Sequence, residues 1–183
     1  MKSFSSWMVE TIRQNHLIGW MEEKRFELVA QIALSIKNIV DGKTIILITD
    51  KKRDWFYRYA LKKLNPSTFD RPLFPVVGFE SLYMSIESID DEEKIMILDD
   101  MLSSIFENGY SYFYVGSGDD KISDIARSRR DSMLWSFDKR ESGAIYLDSL
   151  DNRSDIKLME LLDIYNSAIE ATLFGDIDLE GAL

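Results

Sequence analysis

Residues 44–64 read TIILITDKKRDWFYRYALKKL. The first six are apolar or β-branched and lie between Gly42 and Asp50, the pattern of a strand buried on both faces. The remainder of the stretch has helical spacing: Trp55 and Tyr59 lie one turn apart, as do Phe56 and Ala60, and the pattern stops at Asn65-Pro66. A buried strand running straight into a helix is the building unit of a parallel α/β sheet. The same helix, 51–64, poses a question. Between Lys51 and Lys63 it holds six basic residues and one acid, in a chain with 22 Lys+Arg, 32 Asp+Glu and a net charge of −10. A phosphate site, a nucleic-acid surface and a protein docking or assembly surface would each account for it.

The pattern repeats along the chain. Upstream, Leu28, Val29, Ile32, Ala33, Ile36, Ile39 and Val40 mark a helix over 20–41, closed by Gly42 at a position that favours positive φ. A shorter helix over 4–13 precedes it. Downstream, LFPVVGF (73–79) reads as a second strand, with Pro75 fitting an edge or the start of pairing. Residues 88–108 read as a helix, with Ser88 as its cap and Asp90, Asp91, Glu92 and Glu93 in its first turn, where the dipole favours acids. SYFYVG (111–116), SMLWSF (132–137) and GAIYLD (143–148) are strands, 119–129 a helix and 153–174 a long final helix. Alternating strands and helices imply a doubly wound α/β fold: a five-stranded parallel sheet with helices on both faces. At 183 residues the expectation is one domain, with 175–183 a short acidic, mobile tail.

Several classes of function are poorly supported. There is no cysteine, so disulfides, thiolate metal sites and a Cys nucleophile are excluded. No apolar run approaches the ~20 residues of a membrane span, and the first residues lack the pattern of a signal peptide, so the expected location is the cytoplasm. Overall acidity argues against duplex DNA as the main partner. His16 is the sole histidine and has no recognisable nucleophile beside it. The acid pairs Asp90/Asp91, Asp99/Asp100 and Asp119/Asp120 read as solvated helix starts rather than a metal site.

Ligands of open α/β sheets bind beyond the carboxyl ends of strands, which points to the loops TDKKRD and VGSGDDK. The first has no glycine. The second has two, but Asp119 and Asp120 would repel a phosphate there. Lys51, Lys52 and Arg53 open a helix, where the dipole disfavours cations, so they are candidates for docking or assembly together with Trp55 and Tyr59. Arg58, Tyr59 and Trp55 would also suit stacking on single-stranded bases. In the final helix Leu158, Leu161, Leu162, Tyr165, Ala168, Ile169 and Leu173 share one face, while Phe174 falls in the polar arc beyond Glu170. Such a ring either anchors a partner or folds back as the helix frays before Gly175.

The ordered set WFYRYALKKLNP (55–66), RPLFPVVGF (71–79), YFYVG (112–116), SMLWSF (132–137) and DIKLMELLDIYNSAIEATLF (155–174) resembles the HobA family, initiator-associating proteins structurally related to DiaA and to sugar-isomerase (SIS) domains. The resemblance implies an SIS-like, Rossmann-like scaffold with strand order 2-1-3-4-5. It implies a non-enzymatic homotetramer, a dimer of dimers, with helices 20–41 and 153–174 at oligomer contacts. This tetramer would bind the N-terminal region of the replication initiator DnaA and promote its assembly at the chromosomal origin. DNA would be met only through DnaA, with no cofactor, no metal and no membrane. DiaA-like relatives dock the initiator with an Arg before a Pro ahead of the second strand and a Leu-Phe pair ending the last helix. The matching residues are Arg71, Leu173 and Phe174. Sugar-phosphate-binding relatives carry a Gly/Ser-rich loop after the first strand. TDKKRD departs from it, which argues against sugar-phosphate binding; a sugar-phosphate isomerase or sensor is the alternative.

Overall fold

The computed structural model describes residues 2–66, 71–82, 89 and 91–179, without the side chains of His16 and Leu17. Strand β1 (Lys2–Ser3) leads into α1 (Phe4–Gln14), then a 3-10 segment (His16–Lys24) kinked at Ile18, and α2 (Arg25–Val40). β2 (Thr44–Thr49), a 3-10 turn (Lys51–Arg53), α3 (Asp54–Leu64) and β3 (Val76–Gly78) come next. The chain continues through α4 (Glu92–Ile105), β4 (Tyr110–Ser117), α5 (Ile122–Arg127), β5 (Met133–Phe137), β6 (Ile145–Leu147), α6 (Ser154–Leu173) and β7 (Ile177–Asp178).

The central sheet has five strands, all parallel, in the order β3-β2-β4-β5-β6. The expected 2-1-3-4-5 becomes 3-2-4-5-6 because β1 stands ahead of the sheet and shifts every label by one; TIILIT lies between VVG and YSYFYVGS, as in that order. β1 and β7 form a separate two-stranded parallel sheet that the sequence pattern does not reveal. It also corrects the mobile tail over 175–183: Ile177 is buried and pairs with Lys2, while residues 180–183 lie outside the described residues.

Alternation along β2 and β4 divides the core in two. Ile45, Leu47, Phe113 and Val115 face one side, where α2, α3 and α6 supply Ile32, Phe56 and Leu162. Ile46, Ile48, Tyr112 and Tyr114 face the other, where α4 and α5 supply Leu98, Leu102 and Ile125. Each such side chain taken from water contributes roughly 1.5–3 kcal/mol, so both faces of TIILIT hold the sheet. Gly42 sits at φ 84° and its N–H reaches the Ile39 carbonyl at 3.0 Å, ending α2 as its sequence requires. Pro75 precedes edge strand β3 and gives its carbonyl to the Ile45 N–H at 2.7 Å.

Four helix starts differ from expectation. Helix α2 begins at Arg25 rather than 20, after the 3-10 segment, and α3 begins at Asp54 rather than 51, because the Asp50 carboxylate accepts the Arg53 N–H and holds Lys51–Arg53 in a 3-10 turn. Asp91 caps α4 by accepting the Lys94 N–H at 2.8 Å; the expected cap Ser88, and Asp90, lie outside the described residues. Helix α5 begins at Ile122 rather than 119, because the Asp120 carboxylate binds the Ile122 N–H at 3.0 Å and holds residues before it in a turn.

Candidate docking surface

The carboxyl edge of β2 and β4 does not offer a phosphate cradle. Asp50 is buried, and its carboxylate accepts the Arg53 N–H at 3.0 Å, the Arg53 Nη1 at 2.7 Å and the Ser117 N–H at 2.7 Å. The Arg53 guanidinium lies 3.8 Å from the Phe137 ring centroid. Arg53 is therefore a buried link between β2, β4 and β5, which corrects its reading as an exposed docking cation. Its sequence neighbours Lys51 and Lys52 are exposed. The glycines of VGSGDDK leave room for the protein itself. A Cβ on Gly116 would fall 2.4 Å from the Tyr114 Oη, and one on Gly118 would fall 2.4 Å from the Ser136 Oγ. Asp119 is exposed and 3.5 Å from Lys139. A cleft of about 510 Å³ remains there, but Lys51, Lys52 and Lys121 share it with Asp50, Asp119 and Asp120. Among the described residues no three His, Cys, Asp or Glu side chains cluster as metal ligands would, and no helix is long and apolar enough to cross a membrane.

Helix α3 turns Phe56, Tyr57, Ala60 and Leu64 inward. Trp55 is partly exposed with its edge against Phe56, and Arg58 is exposed beside Asp54 at 3.3 Å. Tyr59 packs part-buried on the core and, with Lys62, Lys63, Arg71, Asn166 and Glu170, lines a cleft of about 580 Å³ between α3 and α6. Lys63 pairs with Asp163 at 2.8 Å, and this hydrogen bond raises its pKa.

That cleft joins Arg71 to the end of α6. The Arg71 side chain keeps only 9% of its surface in water. Its Nη2 donates to the Leu64 carbonyl at 2.6 Å and to Asn166 Oδ1 at 3.1 Å, its Nε lies 3.0 Å from Glu170, and its guanidinium is 3.7 Å from the Phe74 ring centroid. Buried Nη1 has no hydrogen-bond partner among the described residues. Arg71 thus ties the end of α3 to α6 one turn before Leu173 and Phe174. Nothing local in DRPLFP announces this link. Glu170 and Asn166 complete it from about a hundred positions away, and Glu170 alone reads as one more polar-face residue.

Beyond Glu170 the helix does not fray. The Phe174 N–H donates to the Glu170 carbonyl at 2.9 Å, and Gly175 at φ 78° lets the Asp176 N–H reach the Ala171 carbonyl at 2.9 Å. The Phe174 ring stays out, 65% exposed, with Leu173 partly exposed beside it. The structure therefore gathers Arg71, Leu173, Phe174 and Tyr59 on one side of the molecule and leaves Arg53 in the interior.

A family model described as HobA, DNA replication regulator, matches residues 1–179. The chain belongs to the HobA family. The DNA replication regulator protein HobA of Helicobacter pylori is 27% identical to it over 98% of this chain and the whole of the relative. Two crystal structures share the fold. That of a HobA–DnaA (domain I–II) complex from Helicobacter pylori has a TM-score of 0.75 at 26% identity, covering 97% of this chain and 99% of the other. That of HobA from the same organism has a TM-score of 0.74 at 25% identity, with the same coverage. The five-stranded parallel sheet with its flanking helices is thus shared with solved HobA proteins.

Proposed function

We propose that this HobA-family chain is a non-enzymatic adaptor of the cytoplasm, a single SIS-like, Rossmann-like domain. It assembles as a homotetramer, binds the N-terminal region of DnaA and promotes its oligomeric assembly at the chromosomal origin. The observation that carries the reading is the exposed Phe174 ring on a fixed helix end, beside Leu173 and the Arg71–Glu170 pair. Apolar rings held rigidly in the open are what partner anchors look like. The Helicobacter pylori relative crystallised with DnaA domains I–II supports the choice of partner. Display of several weak sites on one scaffold raises the local concentration of initiators, so each contact need not be tight. Lys51, Lys52, Trp55 and Tyr59 are assigned to assembly or to the margin of docking. Gly116 and Gly118, filled against the protein's own side chains, favour this reading over a sugar-phosphate isomerase or sensor. The test is calorimetric titration with the N-terminal region of the protein's own DnaA. Saturable binding at roughly micromolar affinity or tighter, weakened by Phe174→Ala, is expected. Absence of binding would sink the adaptor reading.

A further inference from the structure

Helix α4 leaves two large apolar residues in water. Met96 and Ile97 are 68% and 60% exposed, in adjacent positions on its outer face. The same face carries acids on either side of them: Glu92 and Glu93 one turn before, Asp100 one turn after, all exposed. Beside this stripe runs a groove of about 440 Å³, lined by Ile95, Met96 and the Ser128–Asp131 corner after α5. Exposed apolar residues grouped in this way mark an interaction surface.

The charge of the surface is acidic once its internal pairs are set aside. Arg129 is spent on Asp99 at 2.9 Å and on Asp131 at 3.6 Å, and Lys43 on Asp131 at 2.9 Å. Asp99 also accepts the Tyr110 hydroxyl at 2.5 Å. Lys94 turns back to Asp91 at 3.6 Å. What remains is one exposed base, Arg130, against Glu92, Glu93 and Asp100, none of which is ion-paired among the described residues. The corner that walls the groove is also firm, because the Arg129 guanidinium lies 4.2 Å from the Tyr110 ring centroid as well as on its two acids. A wall fixed in advance has little ordering left to lose on binding.

We propose that this face is the docking site for a basic amphipathic helix of a second protein, distinct from the initiator. An apolar pair rimmed by acids is the complement of a helix whose apolar stripe is flanked by Lys or Arg. Met96 suits such a seat, since an unbranched thioether side chain adapts to the shape it meets. The same charges argue against other occupants. Two copies of this face about a two-fold axis would set one acidic stripe against another. Nucleic acid and anionic lipid surfaces are repelled likewise. Helix α4 covers the opposite face of the sheet from α6, so a helix seated on α4 leaves Phe174 accessible. The inference goes beyond the proposed function and does not depend on it: the chain carries a second docking site, specific for basic helices.

The test uses a synthetic helical peptide of about eighteen residues, with leucine along one stripe and lysine on both flanks, titrated into the full chain by fluorescence anisotropy. Saturable binding is expected, at least about tenfold tighter than that of a peptide with the same leucines and glutamate flanks. Ile97→Ser and Asp100→Lys should each weaken it about fivefold or more, with unaltered thermal melts. Asp155→Lys makes the same charge change at the exposed start of α6 and should alter it less than about twofold. No binding of the lysine peptide overturns the proposal. So do equal losses in Asp100→Lys and Asp155→Lys, which would reduce the effect to net charge. A lower assembled mass of Ile97→Ser in sedimentation velocity also overturns it, by giving the face to another copy. Weaker binding of the initiator's N-terminal region by Ile97→Ser overturns it too, by giving the face to the initiator.

Discussion

Helices α4 and α6 both present apolar side chains to solvent, but they do so in opposite ways. Helix α6 buries Leu158, Leu161, Leu162, Ile164, Tyr165, Ala168 and Ile169; it exposes Ile156 in its first turn and, at its far end, Leu173 and the C-cap residue Phe174. Helix α4 buries two residues and exposes a ridge along its length. The first arrangement gives a single anchor on a rigid mount; the second gives a broad surface whose own attachment is thin. Where a helix spends its apolar residues thus predicts what kind of contact it can make.

The largest effect should come from the mount. Leu162→Ala, at a fully buried position of α6, is expected to destabilise the protein by about 2–5 kcal/mol in urea titration, whereas Ile97→Ala on α4 should change the isolated protomer by under ~0.5 kcal/mol. Equal losses would erase the contrast. Arg71→Ala should cost roughly 1–3 kcal/mol, because Glu170 and Asn166 lose their partner and Phe74 its stacked cation. The Arg71→Lys variant should not recover it, since an ammonium cannot reach Leu64, Asn166 and Glu170 together.

A pH titration probes the thinner attachment. Burial, and then the hydrogen bond to Asp99 on α4, push the Tyr110 hydroxyl up to about 12. The folded protein holds that proton while the unfolded chain releases it near the ordinary value of about 10. Stability is therefore fully present below pH 10 and falls as pH rises from there to about 12. Burial raises the Tyr112, Tyr114 and Tyr165 hydroxyls as well, so Tyr110→Phe should reduce this alkaline slope without abolishing it and cost about 1 kcal/mol at neutral pH; a slope unchanged by the substitution would assign it to those other tyrosines. The smallest effect on stability, within ~0.5 kcal/mol, is expected for Phe174→Ala, together with about tenfold or greater loss of initiator affinity by calorimetry.

Much of the fold is legible in the chain because its signals are local. TIILIT needs no context: a β-branched run between Gly42 and Asp50 can be little else. The azimuth of Phe174 is equally local, and the ring stands where the 100° spacing puts it. The illegible features depend on partners far away in sequence. Arg53 looks like its neighbours Lys51 and Lys52 until Asp50 and the Phe137 ring draw it inward. Arg71 carries no local mark of Glu170 and Asn166. Strands β1 and β7, two residues each, are too short to show any period. The exposure of α4 is hidden for the opposite reason: its apolar content suits a buried helix, and only packing reveals which residues the core leaves out.

The short sheet of β1 and β7 has a practical corollary. The Lys2 N–H meets the Asp176 carbonyl two residues past Phe174, so the head of the chain is pinned beside the proposed anchor. Anything genetically appended ahead of Lys2 would emerge next to that ring. An affinity tag on this protein is thus a steric competitor, and binding measured with an N-terminal fusion should be repeated after cleavage.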